Sequence, residues 1–182
     1  MKIAEKLIRH LEISEAPNLD PIRVTLEDIE PRKGRINIEC YGKAWASYWG
    51  AMGDRTIAEF FCSCDEHYLA KNLASGLNSS VFDPEGLIVT LRKEVIRDRR
   101  RRDLTASEAR ELFDEIDEVG DVTDPWSQSN LMQKLLGDEW WYRLPEKDNP
   151  DYLYLTRIIR AVKEALFSTM RIEEKEEHGL SQ

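Results

Sequence analysis

The sequence predicts an α+β fold, with a three-stranded antiparallel meander packed by helices and a helical C-terminal half. Apolar and polar residues alternate in short segments between residues 22 and 52, which is the pattern of half-buried strands. Beyond residue 54, apolar residues recur at spacings of three and four, which is the pattern of amphipathic helices. Pro31, Gly34 and Gly42 lie between the strand segments, so we expect short turns that join the strands in antiparallel order.

The chain of 182 residues is long enough to bury a core without disulfides or metals. We predict a single domain over residues 1–171 and an acidic tail over residues 172–182, which is expected to fray because it lacks apolar spacing. Three cysteines are too few for a disulfide framework, which favours a reducing compartment. No segment has the apolar length of a signal peptide or a membrane span, so the sequence predicts a cytoplasmic protein with no membrane partner.

One short helix and three strands are predicted in the first third of the chain. Ile3, Leu7 and Leu11 are four residues apart and predict an amphipathic helix over residues 2–13. Cys40 is expected to face the core, because it continues the inward-facing alternation of the second strand. The predicted strands are residues 22–27, 36–40 and 43–52.

The remaining segments predict helices with recognisable ends. A helix over residues 56–75 is expected to break near residues 63–65, where Ser and Asp favour caps. Pro84 suits the first turn of the next helix, since proline lacks only a donor that is unpaired there anyway. Further helices are predicted from Thr105, where Glu108 completes a capping box, from Ser129, and from Pro150 after the cap at Asn149.

Three cysteines and a histidine raise the question of a metal site. Zinc sites usually contain cysteine pairs separated by two residues, whereas one residue separates Cys62 from Cys64. On a continuous helix these two side chains point to opposite sides. We therefore predict no metal and no cofactor, with the thiols acting as small buried apolar groups. The alternative is a small zinc-binding protein or enzyme that uses Cys40, Cys62, Cys64 and His67.

Oppositely charged blocks adjoin at the centre of the chain, although the net charge is -9. Residues 92–103 contain seven basic and three acidic side chains, and residues 108–124 contain eight acidic side chains and one arginine. In a helical hairpin the arginines can pair with the acids of the following helix, and either face can instead bind a partner. The candidate partner-binding residues are Arg97, Arg99, Arg100, Arg101, Arg102, Glu111, Asp114, Glu115, Glu118 and Asp121.

Two kinds of partner suit these charged faces. The basic helix from Arg92 to Arg102 can contact nucleic-acid phosphates, although no aromatic residue lies among the arginines to stack on bases. The acidic face can imitate a phosphate path and occupy a basic protein, or it can serve solubility alone. The segments WSQS and DEWWYRL, at residues 126–129 and 138–144, either anchor a partner or cap the core.

Three segments of the chain resemble a family of small uncharacterised proteins encoded by tailed bacteriophages and prophages. They are RINIECYGKAWASYWGAMGDRTIAEFFCSCDEHYLAKNL, GDEWW and NPDYLYLTRIIRAV. The resemblance runs from about residue 20 to residue 170. It implies an accessory protein that acts inside the infected cell rather than a structural part of the virion, and it carries over no catalytic residues.

The sequence therefore predicts a phage or prophage accessory protein that acts in the host cytoplasm by non-enzymatic binding to a host protein. A host defence or nucleic-acid-processing complex is the expected target. This prediction depends on the resemblance, on the lack of a catalytic signature and on the polarised charge. The alternatives are a nucleic-acid-binding factor that uses the basic helix and a zinc protein or enzyme that uses the cysteines.

Overall fold

A computed structural model describes residues 2–119 and 124–179, without the side chains of residue 174 and residues 176–179. Contacts within the chain divide it into two compact units. The first, here called the sheet unit, comprises residues 1–78 and 150–182, and the second, the helical unit, comprises residues 79–149. The single domain predicted from the sequence requires the two units to unfold together, and this stays a prediction.

The described residues form six strands and six α-helices. The strands are β1 Arg9–Ile13, β2 Ile22–Glu30, β3 Lys33–Cys40, β4 Lys43–Trp49, β5 Ser80–Phe82 and β6 Glu146–Asp148. The helices are α1 Ile57–Ser63, α2 Glu66–Leu73, α3 Pro84–Arg101, α4 Ala106–Glu118, α5 Ser129–Leu136 and α6 Pro150–Gly179. Two 3₁₀ turns, Pro125–Gln128 and Trp140–Arg143, flank α5.

Strands β1 to β4 form one antiparallel sheet in chain order. Leu11 lies opposite Val24, and Val24 lies opposite Ile38, so apolar residues share one face. Val24 and Ile38 are fully buried in the core of the sheet unit, as the period-two pattern predicts. The α+β class and the predicted meander of β2, β3 and β4 are therefore confirmed.

The sheet has four strands rather than the three predicted, because β1 lies where the sequence predicts a helix. Leu11 and Ile13 of β1 pack against the core, and the alternating residues His10 and Glu12 are exposed. Ile3 and Leu7, which the helix prediction places on the same buried stripe, are exposed. An isolated helix this short is marginal in water, whereas pairing with β2 satisfies the backbone of β1 and covers the edge of β2.

Helices α1, α2 and α6 supply the rest of the core of the sheet unit. The predicted break is confirmed, since α1 ends at Ser63 and α2 begins at Glu66. Between them Asp65 caps α2, and its Oδ1 accepts a hydrogen bond from the Tyr68 N–H at 2.8 Å. The buried stripe of α6 consists of Leu155, Ile158, Ile159, Val162 and Leu166, as the spacing predicts.

Helix α6 extends further than the sequence predicts. The helical backbone runs on to Gly179, so the predicted tail from Ile172 begins inside the helix, and its fraying stays a prediction. Residues 173–177 are all Glu or Lys, which favour helix without needing an apolar stripe. Glu173 also forms an ion pair of 2.9 Å with Arg9 of β1.

The helical unit contains α3, α4 and α5 around a second apolar core. The predicted capping box of α4 is confirmed, with the Glu108 N–H at 3.3 Å from Thr105 Oγ1 and the Thr105 N–H at 2.7 Å from Glu108 Oε2. Strands β5 and β6 pair with each other and were not predicted, because three residues each are too few to show a period. Core side chains include Leu87, Leu91, Val95, Leu112, Ile116, Leu131 and Trp140.

Candidate functional site

The buried cysteines have separate surroundings. Cys40 Sγ lies 3.3 Å from Tyr154 Oη and 3.5 Å from the carbonyl oxygen of Asp20. The hydrogen bond with Cys40 and burial raise the pKa of Tyr154 to about 12. Cys62 Sγ lies 3.8 Å from the carbonyl oxygen of Lys163. Both thiols therefore contact helix α6 at different residues.

Cys64 and His67 do not complete a ligand set with the buried thiols. His67 Nδ1 lies 2.8 Å from Tyr152 Oη, and Cys64 is half-buried where α1 ends. Among the side chains that the structure describes, no three of Cys, His, Asp or Glu gather closely enough to hold a metal ion. The geometry gives no support to a zinc site on Cys40, Cys62, Cys64 and His67, and we propose none.

Cys62 is expected to resist thiol reagents in the native protein. Burial raises the pKa of Cys62 from its ordinary value of 9.0 to about 11, against a smaller opposing effect of Lys163. At a pH near 8 this lowers the thiolate fraction by about a hundredfold, and only the thiolate attacks. Labelling with Ellman's reagent, followed by peptide mass spectrometry, should modify Cys62 only in denaturant. Equal rates for native and unfolded protein would contradict its burial.

Helices α3 and α4 form an antiparallel hairpin, but the expected pairing of charges occurs at one position. Arg92 Nη2 lies 2.5 Å from Asp117 Oδ1, and this is the ion pair between the two helices among the described residues. Arg97 pairs instead with Glu94 and Asp98 of its own helix. In such a hairpin the end of α3 lies beside the start of α4. Arg99 to Arg102 therefore do not reach the acidic side chains from Glu111 to Glu118, which lie further along α4.

The C-terminal arginines of α3 remain available to solvent. Arg99 Nη1 donates a long hydrogen bond of 3.4 Å to the carbonyl oxygen of Leu104. Arg100, Arg101 and Arg102 are exposed and form no ion pair with any residue that the structure describes. Their position at a helix C-terminus is favourable by itself, because cations there oppose the negative end of the helix dipole.

The acidic side chains of α4 form a continuous surface, here called the carboxylate stripe and defined as Glu111, Asp114, Glu115 and Glu118. Their spacing of three and four places them on one helix face, and all four are exposed. None forms an ion pair with a described residue, although Glu111 accepts a hydrogen bond of 3.2 Å from Ser107 Oγ. The fifth acidic candidate, Asp121, lies outside the described residues.

The carboxylate stripe is unfavourable to its own helix. Like charges three and four residues apart destabilise a helix by about 0.2–0.5 kcal/mol per pair. The buried residues of α4 are Ala109, Leu112 and Ile116, so the stripe adds nothing to the core. A positively charged partner would remove this repulsion when it binds.

A family model described as a phage family matches residues 1–168 of the chain. The chain belongs to this phage family. The resemblance to phage proteins that the sequence segments indicate is thereby confirmed. No curated protein and no solved structure matches the phage protein. None of its described helices is both long and apolar enough to cross a membrane.

The aromatic segments of the phage protein contain both a buried core side chain and exposed side chains. Trp140 is buried and belongs to the core of the helical unit. Trp126, Trp141 and Tyr142 are 59%, 41% and 80% exposed. Sequence alone could not separate these roles, because adjacent residues of a 3₁₀ turn point in different directions.

Proposed function

We propose that this phage protein is an accessory protein that acts in the cytoplasm of the infected bacterium by binding a host protein. The proposed target is a basic component of a host defence or nucleic-acid-processing complex, which the carboxylate stripe occupies in place of nucleic-acid phosphates. Membership of a phage family and the polarised charge support this proposal.

The observation that carries the proposal is the lack of neutralisation at the carboxylate stripe. Residues 92–103, at the end of the neighbouring helix α3 and just after it, contain seven basic side chains. On α4 they form an ion pair with Asp117 and with none of the stripe. Four carboxylates on one exposed helix face produce a local negative potential over about one Debye length, roughly 8 Å at physiological salt. Such a potential speeds the encounter with a basic surface and selects against acidic ones.

The surroundings of the thiols support binding rather than catalysis. A catalytic cysteine needs a nearby base and a lowered pKa. Burial instead raises the pKa of Cys62, and that of Cys64 as well. His67, the imidazole nearest along the chain, is engaged with Tyr152. Three free cysteines are also compatible with the reducing cytoplasm that the proposal requires.

The proposal is tested by capture from lysate of the phage's own host. A variant with Glu111→Gln, Asp114→Asn, Glu115→Gln and Glu118→Gln removes the charge of the stripe and keeps its shape. We expect it to retain less than about a tenth of the partner that the wild type captures, since removal of close interfacial charges commonly costs more than tenfold in affinity. The captured protein is measured by quantitative mass spectrometry.

The matched control removes the same charge elsewhere on the chain. It combines Glu5→Gln, Asp54→Asn, Glu85→Gln and Glu164→Gln, which are exposed carboxylates outside α4. The control should capture the partner as the wild type does, and equal losses in both variants would reject recognition by the stripe. If the wild type instead binds DNA or RNA at low salt and loses this with Arg100→Gln, Arg101→Gln and Arg102→Gln, the nucleic-acid hypothesis replaces the proposal.

A further inference from the structure

Three aromatic side chains form an exposed cluster in the helical unit, here called the aromatic surface and defined as Trp126, Trp141 and Tyr142. The rings of Trp126 and Trp141 are nearly parallel, at 18°, with centroids 6.1 Å apart. Tyr142 continues the cluster, with its ring 5.9 Å from that of Trp141. Contiguous exposed aromatic groups of this kind are enriched at binding sites, because they bury much area with few rotatable bonds.

The aromatic surface packs against a buried tryptophan of the helical unit. The buried Trp140 lies edge-on to both exposed tryptophans, at centroid distances of 4.6 Å from Trp126 and 5.9 Å from Trp141. The backbone N–H of Trp126 donates to Asp124 Oδ1 at 3.0 Å, which fixes the start of the first 3₁₀ turn. Little ordering entropy remains to be lost when a ligand binds to rings that are already fixed.

The second 3₁₀ turn is anchored by Arg143. Its Nη1 donates to the carbonyl oxygen of Leu136 at 2.9 Å, and its Nη2 lies 2.8 Å from Glu94 Oε1. This guanidinium is therefore neutralised by a carboxylate that is itself largely buried. The basic residue closest to the aromatic surface along the chain does not offer a free positive charge to a ligand.

Exposed carboxylates flank the aromatic surface on both of its segments. Asp124 precedes Trp126 by two residues, and Asp138 with Glu139 directly precedes Trp140. From residue 111 to residue 139 the sequence contains nine acidic residues and one basic residue, Lys134. This charge repels nucleic-acid phosphates and anionic lipid surfaces, which are the other common partners of exposed aromatic groups.

We propose that the aromatic surface binds an arginine or lysine side chain of a partner protein. The cation lies over an exposed ring face, where the ring quadrupole attracts it, and the flanking carboxylates attract the same charge. At a centroid distance of 6.1 Å, Trp126 and Trp141 are too close to hold a planar cation between them, so the outer faces are used. This assigns a second binding surface beyond the carboxylate stripe, with its own ligand chemistry.

The test uses the full chain and a short synthetic peptide of alternating arginine and glycine, with a citrulline peptide as the neutral control. The chain has five tryptophans, so its indole N–H signals can be followed separately by nuclear magnetic resonance. We expect the arginine peptide to shift the signals of Trp126 and Trp141 and to leave those of Trp45 and Trp49 unchanged. The citrulline peptide should shift none.

Variants then assign the contribution of the rings. Trp126→Ala should weaken binding of the arginine peptide about tenfold, and Trp126→Phe, which keeps a ring face, should recover much of it. Tyr48→Ala removes an aromatic that is 52% exposed in the sheet unit and should change nothing. Absent shifts, equal shifts with citrulline, or stronger shifts with single-stranded DNA or anionic vesicles would overturn the proposal. Sedimentation that shows a dimer lost in Trp126→Ala would also overturn it, since the occupant would then be a second copy.

Because the probe is a defined peptide, this result does not depend on capture of a host protein. Loss of capture through the carboxylate stripe and loss of peptide binding at the aromatic surface are separately measurable.

Discussion

Replacing Phe61 by Ala is expected to lower the free energy of unfolding by about 3–5 kcal/mol. Phe61 is fully buried in the core of the sheet unit, and its ring meets that of Trp49 nearly edge-on at 6.4 Å. Truncation removes the apolar area of the ring and leaves a cavity between helix and sheet. Since small domains are stable by only about 5–15 kcal/mol, this is a large fraction of the total.

The stability of Phe61→Ala is measured by denaturant unfolding, with Phe167→Ala as the matched control. Phe167 lies on α6 and is 48% exposed, so its truncation should cost much less. Equal losses for the two variants would contradict the assignment of Phe61 to the core.

Replacing Leu91 by Ala should destabilise the helical unit by about 2–5 kcal/mol. Leu91 is fully buried in α3 and belongs to the core that α3, α4 and α5 share. The matched control is Val89→Ala, two residues earlier on the same helix. Val89 is half exposed and Ala favours helix more than Val, so this change should cost much less stability than Leu91→Ala.

Hydrogen exchange measured by mass spectrometry resolves the effect of Leu91→Ala along the chain. Amides of α3, α4 and α5 should lose protection. If the chain is one cooperative domain, the free energy of protection should fall as much for amides of β3 as for amides of α3, α4 and α5. Unchanged protection of α4 in Leu91→Ala would contradict the helical core.

Features that depend on neighbouring residues could be predicted from the sequence. The caps at Asp65 and Thr105, and Pro84 at the start of α3, each involve side chains within one turn of the residue they serve. The stripe on α4 follows from the spacing of Glu111 and its three companions once the helix is assigned.

Features that depend on distant partners could not be predicted. Strand β1 forms by pairing with β2, where Arg9 lies opposite Leu26. Strand β5 forms by pairing with β6, where Ser80 lies opposite Asp148. Neither short segment shows a period long enough to separate strand from helix or loop.

The candidate surfaces were predicted in part. The pairing of Arg92 with Asp117 depends on how the hairpin aligns, which charge counts along the sequence cannot give. Likewise, the burial of Trp140 beside the exposed Trp141 is set by packing against the core of the helical unit. Residue types identify such positions as candidates, and tertiary contacts decide between them.

Recognition through the carboxylate stripe is tested most directly by the salt dependence of affinity between the protein and its captured host partner. Affinity for the wild type should fall steeply between low and physiological salt, because exposed charges are screened. The variant with Glu111→Gln, Asp114→Asn, Glu115→Gln and Glu118→Gln should bind more weakly at low salt and respond less to added salt. The same affinity and the same salt dependence for both proteins would contradict recognition by these carboxylates.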